Sequence, residues 1–344
     1  MARILFLASS APEIVLADGS ALGAGFVAEE ATRAIDRFEA AGAQIEVATV
    51  DGEPPHIDAY ALNPAFHFPD EDRDFFSAVV RRFMRDIDDI RITLQHVTEF
   101  DLVAAHRVFQ VLMQAGVSSD EALVLVERSA RTSWLESISF ITVLSSDPAV
   151  TSRVSVNQLR LCRETLFADA TTIALDARNR LLAMAGFQRP LKLGDISPDQ
   201  ITRYDAVFIP GGSGPMVDMV DSADIRRLLH LMAPGPQVIA ALGHGVAALL
   251  SAAERLDGLW LFDGYRMTAF TNEEEGQTHL GKLGPAWYLE TALKNRGAVF
   301  DDAVAWGSHV VIDRNLMTGQ NRGSTDSLAD AVLKRIAVLN RRAA

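Results

Sequence analysis

The residues best placed to do chemistry lie in VIAALGHGVAALL, residues 238–250. An apolar run enters Gly243-His244-Gly245 and an Ala/Leu-rich run leaves it, the order of a strand, a tight turn and a helix. Such a turn is a nucleophile elbow, whose apex residue sits in a strained conformation with its side chain in a pocket and backbone N–H groups nearby to face developing negative charge. The apex here is Gly243, which tolerates that backbone but offers no sulfur or oxygen to attack a carbon. His244 beside it titrates near neutrality. Cys162 is the single cysteine, and in NQLRLCRET it reads as a mid-helix residue flanked by Leu159, Leu161 and Leu166, a small buried hydrophobe rather than a substitute nucleophile. The other histidines, at 56, 67, 96, 106, 230, 279 and 309, show no H-x-x-x-H spacing. Pairing of His56 with Asp58, or of His67 with Asp70, is a minor alternative for a metal; the expectation is no metal and no cofactor. The run Glu273-Glu274-Glu275 reads as a solvated loop without a catalytic role.

These residues need elements to hold them. Arg3 to Ala8 is a short apolar run ending at polar Ser9 and Ser10, a buried strand meeting its loop. A helical pattern from about Gly25 to Ala41 stops at Gly42, and a second strand runs from Gln44 to Val50, completing a β-α-β unit. Pro- and Gly-rich GEPPHID then marks a boundary near Tyr60. Amphipathic helices follow at Asp70–Leu94, Glu99–Ala115, Ser118–Leu144 and Val154–Ala185, broken at Gly116 and Asp147-Pro148. The α/β rhythm returns with strands at Asp205–Pro210 and Gln237–Leu242, a helix at Ala223–Met232 between them and another starting near Gly245. Further strands are expected at Arg266–Phe270, Val310–Asp313 and Leu316–Thr318, then a final helix at Ser324–Asn340. The prediction is an α/β fold, a three-layer sandwich with a mainly parallel, flavodoxin-like sheet over residues 1–60 and 189–344. An all-helical insertion, residues 61–188, serves as lid or interaction domain. Ligands of such sheets sit at the carboxyl ends of the strands, which places any site in the loops after Ala8, Pro210 and Leu242.

Composition narrows the function. The chain has 344 residues, 49% hydrophobic and 22% charged, which is globular and excludes disorder and rod-like coiled coils. A net charge of −13 with no Lys/Arg run longer than two argues against nucleic acid as a partner. One cysteine excludes an intramolecular disulfide and fits a reducing compartment, and no apolar run is long enough for a signal peptide or membrane span, so a cytoplasmic location is expected. A small-molecule substrate and a homodimer are the expected partners.

FIPGGSGPMVDM (208–219), the elbow AALGHGVAALL, TAFTNEEE (268–275) and LMTGQNRGSTDSLADAVL (316–333) together resemble the ThiJ/PfpI (DJ-1) superfamily. Among its members the sequence is most similar to the glyoxalase III and heat-shock deglycase-chaperone subgroup, whose fold is like the class I glutamine amidotransferases. The resemblance covers about residues 1–60 and 189–344. It implies that the family's pocket carboxylate falls on Glu30, with Glu29 as the other register, and that its Cys-His dyad falls on Gly243 and His244. It implies further that the oxyanion-hole glycines fall on Gly211 and Gly212, where Ser213 replaces a following histidine; Gly243 and Gly245 complete the expected substrate-binding set. With no thiol at the elbow, thiolate chemistry is lost. What is left is acid/base work by Glu30 and His244 with backbone N–H groups holding an enolate or carboxylate, suited to a lyase, isomerase or cyclase acting on a small to medium activated carbonyl or carboxylate compound. The alternatives are a nucleophile-less binding or chaperone-like protein, or a Cys-to-Gly form of a glyoxalase III-like thiol enzyme.

Overall fold

The computed structural model describes residues 1–62, 67–84, 102–136 and 138–343. It divides into two compact units, Met1–Leu62 with Ala177–Ala344, and Asn63–Asp176. In chain order the strands are β1 (Arg3–Leu7), β2 (Glu13–Val15), β3 (Ala21–Gly23), β4 (Gln44–Thr49), β5 (Leu191–Lys192), β6 (Ala206–Ile209), β7 (Val238–Leu242), β8 (Arg266–Met267), β9 (Val299–Phe300), β10 (Val310–Asp313) and β11 (Leu316–Gly319). The main sheet of the first unit has the order β10-β11-β7-β6-β1-β4-β5, and its pairings are parallel except for the antiparallel edge β10–β11.

Both faces of this sheet are buried, which is why its strands read as continuous apolar runs rather than as alternating ones. Leu5, Leu7, Val207, Ile209, Ile239 and Ala241 face one core, shared with Ile225, Leu229, Val246 and Leu249. Ile4, Phe6, Ala206, Phe208, Val238, Ala240 and Leu242 face the other, shared with Ile35 and Phe38 of the helix Ala28–Ala40 and Leu328 and Val332 of the helix Thr325–Ala343. Three layers result, as the sequence pattern predicts. The chain leaves β1 for β4 on one side and later places β6 on the other, so the switch in strand order lies between β1 and β6, where ligands of such sheets sit.

The expected strand Arg266–Phe270 differs from the structure. Only Arg266 and Met267 are extended, and they pair with Val299 and Phe300 in a separate ladder, not with the main sheet. The expected helix after the elbow forms as a tight 3-10 segment that begins at Gly243 itself and ends at Ser251. The β2–β3 hairpin and the two-residue β5 were too short to register as hydrophobic periods.

The second unit is helical, with Asp70–Met84, Ala105–Gln114, Ser119–Glu136, Phe140–Ser146 and Pro148–Thr151, followed by the first part of Val156–Ala183. The expected long helix to Leu144 instead ends at Glu136 and restarts at Phe140, and the Ser133 hydroxyl donates to the Ile138 carbonyl at 2.6 Å in between. The helical predictions over 85–94 and 99–101 lie outside the described residues. Val108, Leu112, Val126, Phe140, Leu144, Leu159 and Cys162 form the core of this unit. Asp72, buried among these helices, is clamped by Arg107 at 2.8 Å and by His106 at 3.2 Å. No helix among the described residues is long and apolar enough to cross a membrane.

Candidate active site

The loop after β6, Gly211–Gly214, lies directly on the loop Gly25–Val27 that opens the first helix. Val27 N–H donates to the Gly211 carbonyl at 2.9 Å, and Gly214 N–H donates to the Gly25 carbonyl at 2.8 Å. A Cβ on Gly212, whose φ is +115°, would sit 2.3 Å from the Gly25 carbonyl oxygen, so only glycine permits this approach. The contact fixes the start of the helix Ala28–Ala40 and thereby aims Glu30. Its Oε2 accepts the Gly211 N–H at 2.7 Å. Glu29 turns to Arg33 at 3.3 Å, and Arg33 also holds Asp326 of the last helix at 2.5 Å.

Burial dominates the Glu30 carboxyl and pushes its pKa up to about 8, against the opposing pull of the Gly211 hydrogen bond and of the charges on His244 and Arg322. The Gly211 amide is therefore engaged by the protein's own carboxyl. The amide expected as an oxyanion donor thus carries an acceptor of the protein's own in this structure. Ser213, expected to bind substrate, donates its hydroxyl to Asp58 at 3.1 Å. Burial raises the pKa of Asp58, opposed by Ser213 and by the N–H groups of Tyr60 and Ala61.

At the elbow Gly243 has φ +53°, the left-handed conformation that a strained apex requires. A Cβ there would meet nothing nearer than 3.9 Å, and its three nearest neighbours would be Glu30 Oε1, Gly211 Cα and the Gln320 carbonyl oxygen. The place of a nucleophilic side chain is thus built and vacant, with a carboxyl oxygen facing it. Gly245 packs against the Ile209 and Pro210 carbonyls. His244 is buried, lies 4.4 Å from the Phe270 ring centroid, and donates from Nε2 to Glu275 at 2.5 Å. Burial disfavours its cation, but the charge and hydrogen bond of Glu275 outweigh that and raise its pKa. Glu275 is lowered in turn, its burial overcome by His244. The two form an ion pair.

The acidic run is where the sequence reading fails. Residues 272–277 form a helix capped by Thr271, with Glu274 and Glu275 buried. Glu274 accepts hydrogen bonds from the Thr271 N–H, the Trp306 N–H and the side-chain amides of Gln320 and Asn321. Thr271-x-x-Glu274 is a capping box, and that spacing was the available signal of a helix rather than a loop. His56, expected as a minor metal candidate with Asp58, has its Nδ1 2.8 Å from the Ala24 carbonyl oxygen. Among the described residues no group of three or more His, Cys, Asp and Glu could hold a metal ion. Cys162 is buried, its Sγ–H donates to the Gln158 carbonyl, and burial pushes its thiol up to about 11, which leaves it no thiolate near neutrality.

A cavity of about 290 Å³ lined by Pro54, Pro55, Ile57, Leu181, Leu182, Phe187 and Gln188 includes none of these site residues. It is apolar and carries no group able to do acid/base work, so the geometry around Glu30 marks the site better than cavity size does.

The family profile described as ThiJ/PfpI family-like matches residues 137–261, which include β6, β7 and the elbow. The fold is similar to that of glyoxalase III from Candida albicans, with a TM-score of 0.54 and 16% identity over 97% of each chain. Over residues 137–261 the chain is similar to the ThiJ/PfpI family. Rapid Encystment Protein 24 kDa from Francisella tularensis has a TM-score of 0.55 at 18% identity, covering 98% of this chain and 99% of that one. Glutamine amidotransferase-like class 1 domain-containing protein 1 of Bos taurus is 36% identical over 146 residues, 41% of this chain and 62% of that protein. Protein/nucleic acid deglycase HchA of Escherichia coli is 29% identical over 148 residues, 41% of this chain and 50% of that protein. The chain thus spans between half and two thirds of the length of these curated relatives.

Proposed function

We propose that the protein is a non-covalent acid/base enzyme, a lyase, isomerase or cyclase acting on an activated carbonyl or carboxylate compound. The observation that carries this reading is Glu30, buried, with one oxygen on the Gly211 N–H and the other facing the vacant apex of the elbow. A carboxyl with a pKa of about 8 exchanges protons readily at neutral pH. As a carboxylate, Glu30 removes the proton on the carbon next to a carbonyl, leaving an enolate and a neutral Glu30. Returning that proton to the neighbouring atom completes an isomerisation, and expelling a leaving group from the next carbon completes an elimination. The N–H groups of Gly212 and the elbow are the remaining candidates to hold the enolate oxygen. His244, fixed by Glu275, keeps a positive charge near the developing anion. Similar proteins named as a deglycase and a glyoxalase III support carbonyl compounds as the substrate class.

Hydroxyacetone in D₂O is the test, with deuterium uptake beside the carbonyl followed by NMR. Glu30→Gln is expected to slow uptake by about 10²–10⁴-fold without lowering the melting temperature at neutral pH. Uptake that needs deprotonated Glu30 should rise with pH, reach half its maximum near 8 and level off above that. Undiminished exchange by the variant would sink the reading.

A second reading, a binding or chaperone-like protein, is supported by apolar side chains exposed on the helical unit, among them Val124, Leu135, Leu161 and Phe167. Equal suppression of a client's aggregation by the parent and Glu30→Gln, with no exchange by either, would favour it.

A further inference from the structure

Arg322 stands where the last parallel strand turns toward the elbow. β11 runs parallel to β7 with Gly319 opposite Leu242, so Gln320, Asn321 and Arg322 leave the sheet beside Gly243–Gly245. The Gln320 carbonyl oxygen is one of the three groups around the vacant apex position. Two residues on, the Arg322 guanidinium carbon lies 5.9 Å from the Trp306 ring centroid. Trp306 meets Phe270 edge-on at 5.5 Å, and Phe270 covers His244 at 4.4 Å. An aromatic wall therefore runs from the guanidinium to the imidazole.

Glu274 holds this arrangement in place. Its one oxygen Oε1 accepts from Trp306 N–H at 2.7 Å, Gln320 at 3.0 Å and Asn321 at 2.6 Å, tying the two residues before Arg322 to the ring beneath it. Trp306 itself has φ +64°, a conformation that non-glycine residues rarely adopt and that persists only where surrounding contacts impose it. The positive charge of Arg322 also reaches Glu30, where it opposes the upward push of burial. Glu30 is largely neutral at pH 7 and His244 is paired with Glu275, so neither repels an incoming anion.

We propose that Arg322 anchors a carboxylate of the substrate, so that the site prefers enolisable 2-oxo acids to neutral carbonyl compounds. This specifies the substrate class of the acid/base reading and rests on it. A guanidinium offers paired donors matched to a carboxylate, and a neutral ketone has no partner for them. The flat 2-oxo acid lies against the Phe270–Trp306 wall with its acidic C–H toward Glu30.

Pyruvate and hydroxyacetone are the charged and neutral probes, with binding followed by calorimetry and deuterium uptake by NMR. Pyruvate is expected to bind the parent, and Arg322→Gln to weaken it by about tenfold or more, a larger loss than hydroxyacetone binding suffers. Arg322→Lys, which keeps the charge but loses the paired donors, should recover only part of the pyruvate affinity, a partial rescue that a merely structural role would not give. Glu30→Gln should still bind pyruvate but not exchange its protons. Pyruvate that binds parent and Arg322→Gln alike, or binds neither, overturns the anchor even if hydroxyacetone still exchanges through Glu30. Binding that depends on Arg322 without any exchange that depends on Glu30 supports the anchor and overturns the acid/base reading alone.

Discussion

Glu30 carries a cost that can be measured without knowing the substrate. Its carboxyl has an ordinary value of 4.5 and a folded value of about 8, so the folded state holds the proton more tightly than the unfolded chain does. The associated stability is fully present below pH 4.5, is lost as pH rises, and stays lost above 8. Because the group is buried and each pH unit in that window is worth about 1.4 kcal/mol, the loss is on the order of 5 kcal/mol. Glu30→Gln keeps the shape and removes the titration. Urea denaturation is expected to show parent and variant close at pH 5, with the variant ahead by about 3–5 kcal/mol at pH 9. Parallel stability profiles would mean that the carboxyl is solvated. The His244–Glu275 pair acts at the outer limits. Its His244 contribution fades above the histidine's raised value, and its Glu275 contribution fades as pH falls through the lowered carboxyl value.

Two glycines of one site are held for different reasons, and substitution separates them. At Gly243 the space for a side chain exists and only the backbone angle resists, so Gly243→Ala should cost about 1–2 kcal/mol, the usual penalty for a left-handed alanine. At Gly212 the Cβ would strike backbone atoms of Gly25 and Phe26, which cannot rotate away, and Gly212→Ala should cost at least about 3 kcal/mol. Urea midpoints at pH 7 provide the comparison. Equal costs would mean that the loop after β6 yields more than its contacts imply. The elements themselves follow simple local rules. The short apolar runs became the buried strands β1, β6 and β7 because both sheet faces are covered, and Gly42 closed the first helix. Arg266–Phe270 has the composition of a strand but pairs over only two residues, since pairing depends on which edge the chain reaches and not on local pattern.

Each compact unit closes its own apolar core, and that makes the whole molecule divisible in an experiment. Phe140 is fully buried in the helical unit beside Leu112 and Leu144. Phe140→Ala should cost about 3–5 kcal/mol, and hydrogen exchange should then lose protection in the helices Ala105–Gln114 and Phe140–Ser146. Amides of β1, β6 and β7 are expected to keep theirs. Uniform loss across both units would show that the chain unfolds as one body.

The sequence by itself determined the layered α/β core, the helical block, and the elbow with its empty apex, because periodicity, turn glycines and the absence of a thiol are local properties of the chain. Only the tertiary structure decided that Glu30 rather than Glu29 faces the apex, that the Gly211 amide serves this carboxyl, and that Glu274 and Glu275 are buried partners of the site. Those outcomes depend on which loops meet at the end of the sheet. Desolvation and pairing are set by neighbours tens to nearly two hundred positions away in sequence, and no local pattern encodes them.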